Sequence, residues 1–189
     1  REALARDPDL DSVRTRWIRM LSMRVSIDAA LAELRDHPHS SDSGNWAALM
    51  DWLNANDRRP EAITVGREMV TRFPDQHWIH GCFALCLADA GLADDALKEL
   101  REAVRLDPED LVAHFHTARL LCDAGRYKEA VPALEFVLSK DPESSDAVRT
   151  LAFAHAMLDQ HEDAERLARR ALELDPTDDV ARSHVLAAD

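Results

Sequence analysis

DDALKELREAVRLDP (residues 94–108) and KEAVPALEFVLSKDP (128–142) are two settings of one design, 34 positions apart. The design returns in PEAITVGREMVTRFP (60–74) and EDAERLARRALELDP (162–176). The closing prolines, Pro74, Pro108, Pro142 and Pro176, keep one interval throughout. A fixed period of this length marks stacked repeats, in which one supersecondary unit cannot bury its apolar stripe alone and a neighbour covers it.

Working outward from these stretches, each is preceded by a second segment with helical spacing. In one unit the apolar positions are Val112, Phe115, Ala118, Leu121 and Cys122, then Ala130, Leu134, Val137 and Leu138. Two helices of about fourteen residues per unit follow. Gly91 and Gly125 stand just past the first helix of successive units, where a left-handed residue ends a helix. Asp57 and Asp159 hold that position in the other two units, and Asp tolerates it next best. Pro60 falls in the first turn of its helix, where its missing N–H costs nothing. Pro132 is placed a little further in, still among the N–H groups that lack helical partners. The residue before each closing proline is pushed out of helical conformation, which ends the second helix.

The period divides the chain into regular units at 43–76, 77–110, 111–144 and 145–178. REALARDP (1–8) reads as the tail of a truncated repeat, and 179–189 as a truncated or capping helix. Both ends thus cut through a repeat, as in an internal window of a longer array. The unit at 11–42 is irregular: Trp17, Leu21, Ala30 and Leu34 occupy core places, but the closing proline has become His37-Pro38. A shortened second helix is expected there, followed by the polar loop HSSDSGN (39–45), whose Ser and Asp cap the next helix start. Trp17 and Trp52 are assigned to the core.

Composition narrows the function. The 36 acidic residues exceed the 23 Lys and Arg, for a formal charge of −13. That balance disfavours nucleic acid, whose phosphates demand cations, and anionic membrane surfaces likewise. Neutral or basic protein segments suit it better. Arg14, Arg16, Arg19 and Arg24 form a local exception, read either as a solvated helix face or as a grip on an acidic segment. The longest apolar run is far short of a membrane span. Three cysteines give an odd count with no framework of pairs, which favours the cytoplasm. No Gly-rich phosphate loop, nucleophile motif or distinct carboxylate pair stands out, so neither an enzyme nor a cofactor is expected. The His77–Cys86 stretch, with His114 and His116 one repeat along, admits a soft metal between Cys82 and His116. Packing is the preferred role for these residues, since buried Cys behaves as a small apolar side chain.

These units resemble the tetratricopeptide repeat. In 43–76, Trp46, Leu49, Leu53, Ala62 and Pro74 stand where that family has Trp, Leu, Tyr, Ala and Pro. In 77–110 the places hold His80, Phe83, Ala84, Leu87, Ala96, Leu100, Ala103 and Pro108. His114, Ala118, Leu121, Ala130, Leu134 and Pro142 follow, then Val148, Leu151, Ala152, Ala164, Ala168, Ala171 and Pro176. Ala62, Ala96, Ala130 and Ala164 share one position, where helices approach closely and a longer side chain would overpack. The resemblance implies an all-α superhelix, a solenoid of stacked antiparallel helix pairs.

It further implies a concave groove, lined by the first helices, that binds a segment of another protein. The positions carried over are Thr15, Arg16 and Arg19; Ala47, Ala48, Asp51 and Asn54; Trp78, Cys82, Leu85 and Asp89. Beyond them come Phe115, His116, Arg119 and Asp123, then Arg149, Thr150, Phe153 and Met157. One subfamily grips chaperone C-termini through a Lys, Asn and Arg clamp. Here Ala47, Asp51, Cys82, Val112 and His116 hold those positions, so the clamp is absent. The implied function is a non-catalytic scaffold for a peptide or partner protein. The alternatives are a docking arm of a larger enzyme and a self-assembling array joined through its incomplete end repeats.

Overall fold

Each half of the repeat folds as a helix, as the apolar spacing requires. The computed structural model describes residues 11–36, 43–179 and 181–182. Among them are ten helices and no strand: α1 (Asp11–Arg24), α2 (Ile27–Asp36), α3 (Ser43–Ala55), α4 (Arg59–Arg72), α5 (His77–Asp89), α6 (Ala93–Leu106), α7 (Leu111–Asp123), α8 (Tyr127–Lys140), α9 (Ser145–Met157) and α10 (His161–Leu174). The all-α class of stacked antiparallel pairs is therefore what the chain adopts. It gathers into two compact units, residues 1–99 and 100–189, divided within α6. In the first, α1 packs on α2 and α3, and α3 and α4 both pack on α5. In the second, α7 to α10 pack in succession and α7 also reaches α9.

Small residues let the helices close up. Ala62, Ala96 and Ala130 are fully buried, and Ala164 nearly so. Large side chains fill the wider spaces: Trp46, Met69 and Ile79 in the first unit, Leu100 and Leu134 in the second. Gly66 on α4 is a local exception with a clear cause. A Cβ there would overlap the Phe83 ring of α5, so the ring occupies the volume that a side chain at 66 would need.

The turns follow the sequence reading closely. Gly91 and Gly125 have φ of 77° and 72°, and Asp57 and Asp159 each have φ of 58°. Ahead of the prolines, Phe73, Asp141 and Asp175 have left helical conformation. The aspartates do more than tolerate this position. Asp107, Asp141 and Asp175 each accept, through Oδ1, the N–H two residues on, across the proline. The carbonyl of each closing proline meets a side-chain nitrogen, an imidazole in the first two turns and a guanidinium in the last two. Pro74 faces the His80 ring at 3.1 Å and Pro108 the His114 ring at 3.1 Å. Pro142 accepts from Arg170 and Pro176 from Arg182, both at 2.7 Å.

α2 runs from Ile27 to Asp36, and the residues that follow it lie outside the described ones; α4, α6, α8 and α10 have fourteen residues each. Three expectations need correction. Ser43, Gly44 and Asn45 belong to α3 rather than to a loop; Ser43 is buried and hydrogen-bonds Gln76 at 2.8 Å. Residues 39–42, with the proposed caps, lie outside the described residues, as do 1–8 and most of 179–189. Pro132 is not in the first turn: with Arg126 as N-cap it is the sixth residue of α8. Its ring removes the N–H that would donate to the Lys128 carbonyl, and it stays exposed while the helix runs on. Trp52 is only half-buried, with the Arg58 guanidinium 5.9 Å from its ring. The side chain of Trp17 lies outside the described residues.

Candidate functional site

In the first unit, α1, α3 and α5 lie side by side, and their candidate side chains meet. Arg19 donates through Nη2 to the Ala48 carbonyl at 3.3 Å. Its charge also acts on Asp51, whose carboxyl is pushed above the usual range because crowding strips water from it, Arg19 opposing. Asn54 donates to Asp89 at 2.6 Å. Cys82 is half-buried; burial raises its thiol, and the Asp51 charge adds to this. Trp78 is exposed, at 38% of its surface, Leu85 is half-buried and Arg16 is open to solvent. Thr15 is helical, with its side chain outside the described residues.

Two polar atoms on this face are buried with no partner among the described residues: Arg19 Nε and Asn54 Oδ1. A buried donor or acceptor left unmet forfeits its hydration, roughly 1–3 kcal/mol each. Cys86, assigned to packing from the sequence, is buried on α5 one helical turn from Cys82. Burial first, then the Asp89 and Asp51 charges, push its thiol up to about 11.

In the second unit, α7 and α9 carry the remaining candidates. The rings of Phe115 and His116 meet edge to face, centroids 5.6 Å apart. Burial pulls the His116 pKa below its ordinary value, Arg119 adding to this and Asp110 opposing. His116 Nδ1 is buried without a partner among the described residues. Arg119 and Asp123 are exposed. Phe115 and Phe153 are half-buried rather than open, and Phe153 packs edge to face on Tyr127 of α8 at 5.8 Å. Arg149 pairs with Asp146 and lies 3.7 Å from Asp178, so its charge is already engaged. Thr150 gives its hydroxyl to the Asp146 carbonyl, which leaves Met157 as the exposed apolar end of α9.

Among the described residues, no three His, Cys, Asp or Glu side chains gather where they could hold a metal ion. No described helix is long and apolar enough to cross a membrane.

Two family models, each described as tetratricopeptide repeat, match residues 83–133 and 121–187, and together they span more than half of the chain. No curated protein matches the sequence. Many solved structures match its fold. MamA from Desulfovibrio magneticus is 20% identical over 77% of this chain and 82% of its own, with a TM-score of 0.72. YrrB, described as a TPR protein with an unusual peptide-binding site, is 19% identical over 96% and 95%, with a TM-score of 0.71. A tetratricopeptide repeat protein from Parabacteroides merdae is 14% identical over 94% and 71%, with a TM-score of 0.74. At these identities the likeness is one of fold.

Proposed function

Because the chain belongs to the tetratricopeptide repeat family, we propose that it is a protein-interaction scaffold that holds a peptide segment or partner protein on the faces of its first helices. One observation carries this reading. On the face of α1, α3 and α5, Arg19 Nε and Asn54 Oδ1 are a buried donor and a buried acceptor without partners among the described residues. An extended polypeptide offers a carbonyl and an N–H at every residue, which suits that pair of unmet groups. Trp78, exposed at the N-terminal end of α5, is the type of side chain on which interfaces concentrate binding energy. On α7 of the second unit, Phe115, His116, Arg119 and Asp123 offer a comparable mixture.

The formal charge of −13 favours neutral or basic segments over nucleic acid as partners. The protein acts by positioning its partner, with no cofactor and no reaction of its own. The odd cysteine count supports a reducing compartment such as the cytoplasm.

The test is affinity capture with the wild type, with Arg19→Ala/Asn54→Ala and with Phe115→Ala/Arg119→Ala, followed by binding measured on the captured partner's own segment. Each variant should unfold like the wild type yet weaken binding at least tenfold. Equal binding by all three, with folding intact, removes the first-helix faces as the site.

A further inference from the structure

His80 stands on α5 where the repeat pattern places its tryptophan, with 6% of its surface exposed. Both ring nitrogens face acceptors. Nδ1 lies 2.7 Å from Glu99 Oε2 on α6, and Nε2 lies 3.1 Å from the Pro74 carbonyl oxygen in the turn after α4. A neutral imidazole carries one N–H and can serve only one of them; the imidazolium serves both. The other way to satisfy both is a neutral ring facing a protonated Glu99. That is the poorer arrangement, because Glu99 keeps 23% of its side chain in solvent, and a free glutamic acid loses its proton about two pH units before imidazolium does.

We propose that His80 is held as the imidazolium at neutral pH, a charged pin that fastens α5 to α6 and to the turn after α4, and that loosens as pH rises. The surrounding charges leave this pairing intact. Arg67 on α4 and Asp95 and Lys98 on α6 line the same hollow as Glu99. Lys98 is bound to Asp95 at 2.7 Å, and Asp95 also feels Arg67, so these three answer one another. Asp75 in the turn and His77 at the start of α5 are the titratable groups adjoining Pro74 and His80 in sequence.

The chain contains its own control. One period on, His114 Nε2 faces the Pro108 carbonyl at 3.1 Å, while its ring packs on Phe136 at 4.3 Å. Ala133 stands where Glu99 would be repeated. His114 thus faces one acceptor among the described residues where His80 faces two.

The sign of the effect is fixed by linkage. The pin contributes in full at mildly acidic pH, where a free histidine would itself be protonated, below about 6.5. Its contribution falls away as pH climbs through the higher value that the two acceptors impose. α5 also carries Trp78, Cys82, Leu85 and Asp89, so the pin bears on how firmly that helix is presented.

Two-bond proton–nitrogen spectra of the whole 189-residue chain test this, with the His80 signals assigned by their loss in His80→Gln. At about pH 7.5 an ordinary histidine is about one-tenth protonated. His80 should instead show the near-equal nitrogen shifts of an imidazolium, with a titration midpoint of about 7.5 or higher. A midpoint below that overturns the proposal. In Glu99→Gln the midpoint should drop by at least about one unit; an unchanged midpoint also overturns it. If that variant does not fold, the wild-type midpoint alone decides.

Discussion

The pairs α1/α2 and α7/α8 perform the same task by different means. α7 starts from Asp110, whose side chain accepts the Ala113 N–H at 3.0 Å, and Gly125 in left-handed conformation turns the chain into a fourteen-residue second helix. Between α1 and α2 the chain turns through Val25 and Ser26 without such a residue, and the Ser26 hydroxyl accepts the Ala29 N–H at 3.1 Å to start α2. Met23 and Val25 near this turn stand 66% and 68% exposed, as Val112 on α7 does at 63%. The comparison teaches that punctuation sets the repeat length. A left-handed residue after the first helix and a proline after the second give the full period, while between α1 and α2 a capped serine turn does the first of these jobs.

The largest expected effect separates the two pairs by their cores. Leu134→Ala on α8 should cost about 2–5 kcal/mol in urea unfolding, as cavity formation does. Met23→Ala on α1 should stay within about 0.5 kcal/mol. Equal costs would mean that α1 is as tightly covered as α8. Next comes Gly66→Ala. An alanine in an exposed helix interior would gain up to about 1 kcal/mol over glycine, but the Phe83 ring fills the space, so overpacking should reverse the sign to a net loss of about 1–2 kcal/mol. A stabilised variant would show that the ring can step aside.

The turns come third. Gly125→Ala has open space around it, so its loss of about 1 kcal/mol should be purely conformational. Ser26→Gly should cost only a few tenths, because glycine caps nearly as well. Asp159→Gly should move stability by no more than about 0.5 kcal/mol.

The smallest effect is invisible to unfolding at neutral pH. Cys86 and Cys122 are both pushed from 9.0 up to about 11, burial leading in each case. At about pH 8 their thiolate fraction is roughly a hundredth of that in the unfolded chain, so alkylation followed by mass spectrometry should find Cys82 labelled first. Above about pH 9 the unfolded thiols ionise before the folded ones, so stability should decline as pH rises toward about 11.

Much of this fold was legible because its signals are local. The φ values at Asp57, Gly91, Gly125 and Asp159 and the stops before the prolines all follow from a few neighbouring residues. Pro132 was misplaced by half a turn, since local reading could not fix where α8 begins. The contacts among the candidate site residues were another matter. Resemblance supplied positions one at a time, but it could not say that Asn54 binds Asp89, that Arg19 reaches Ala48, or that Arg149 is engaged by Asp178. Those pairings span about 30 residues and depend on rotamers across facing helices. The fit of Gly66 against Phe83 was invisible for the same reason: only together do the two fill one volume.

The closing-proline carbonyls carry a consequence for how such a chain can vary. Two rings and two guanidinium groups satisfy the same backbone oxygen in successive turns: His80, His114 and Arg182 from six residues past the proline, and Arg170 from the second helix of the next repeat. What the turn demands is a hydrogen from somewhere, with no allegiance to a residue type. A lineage under such a rule can exchange its signature tryptophan for histidine or valine while the pitch stays put, and its letters drift further than its shape.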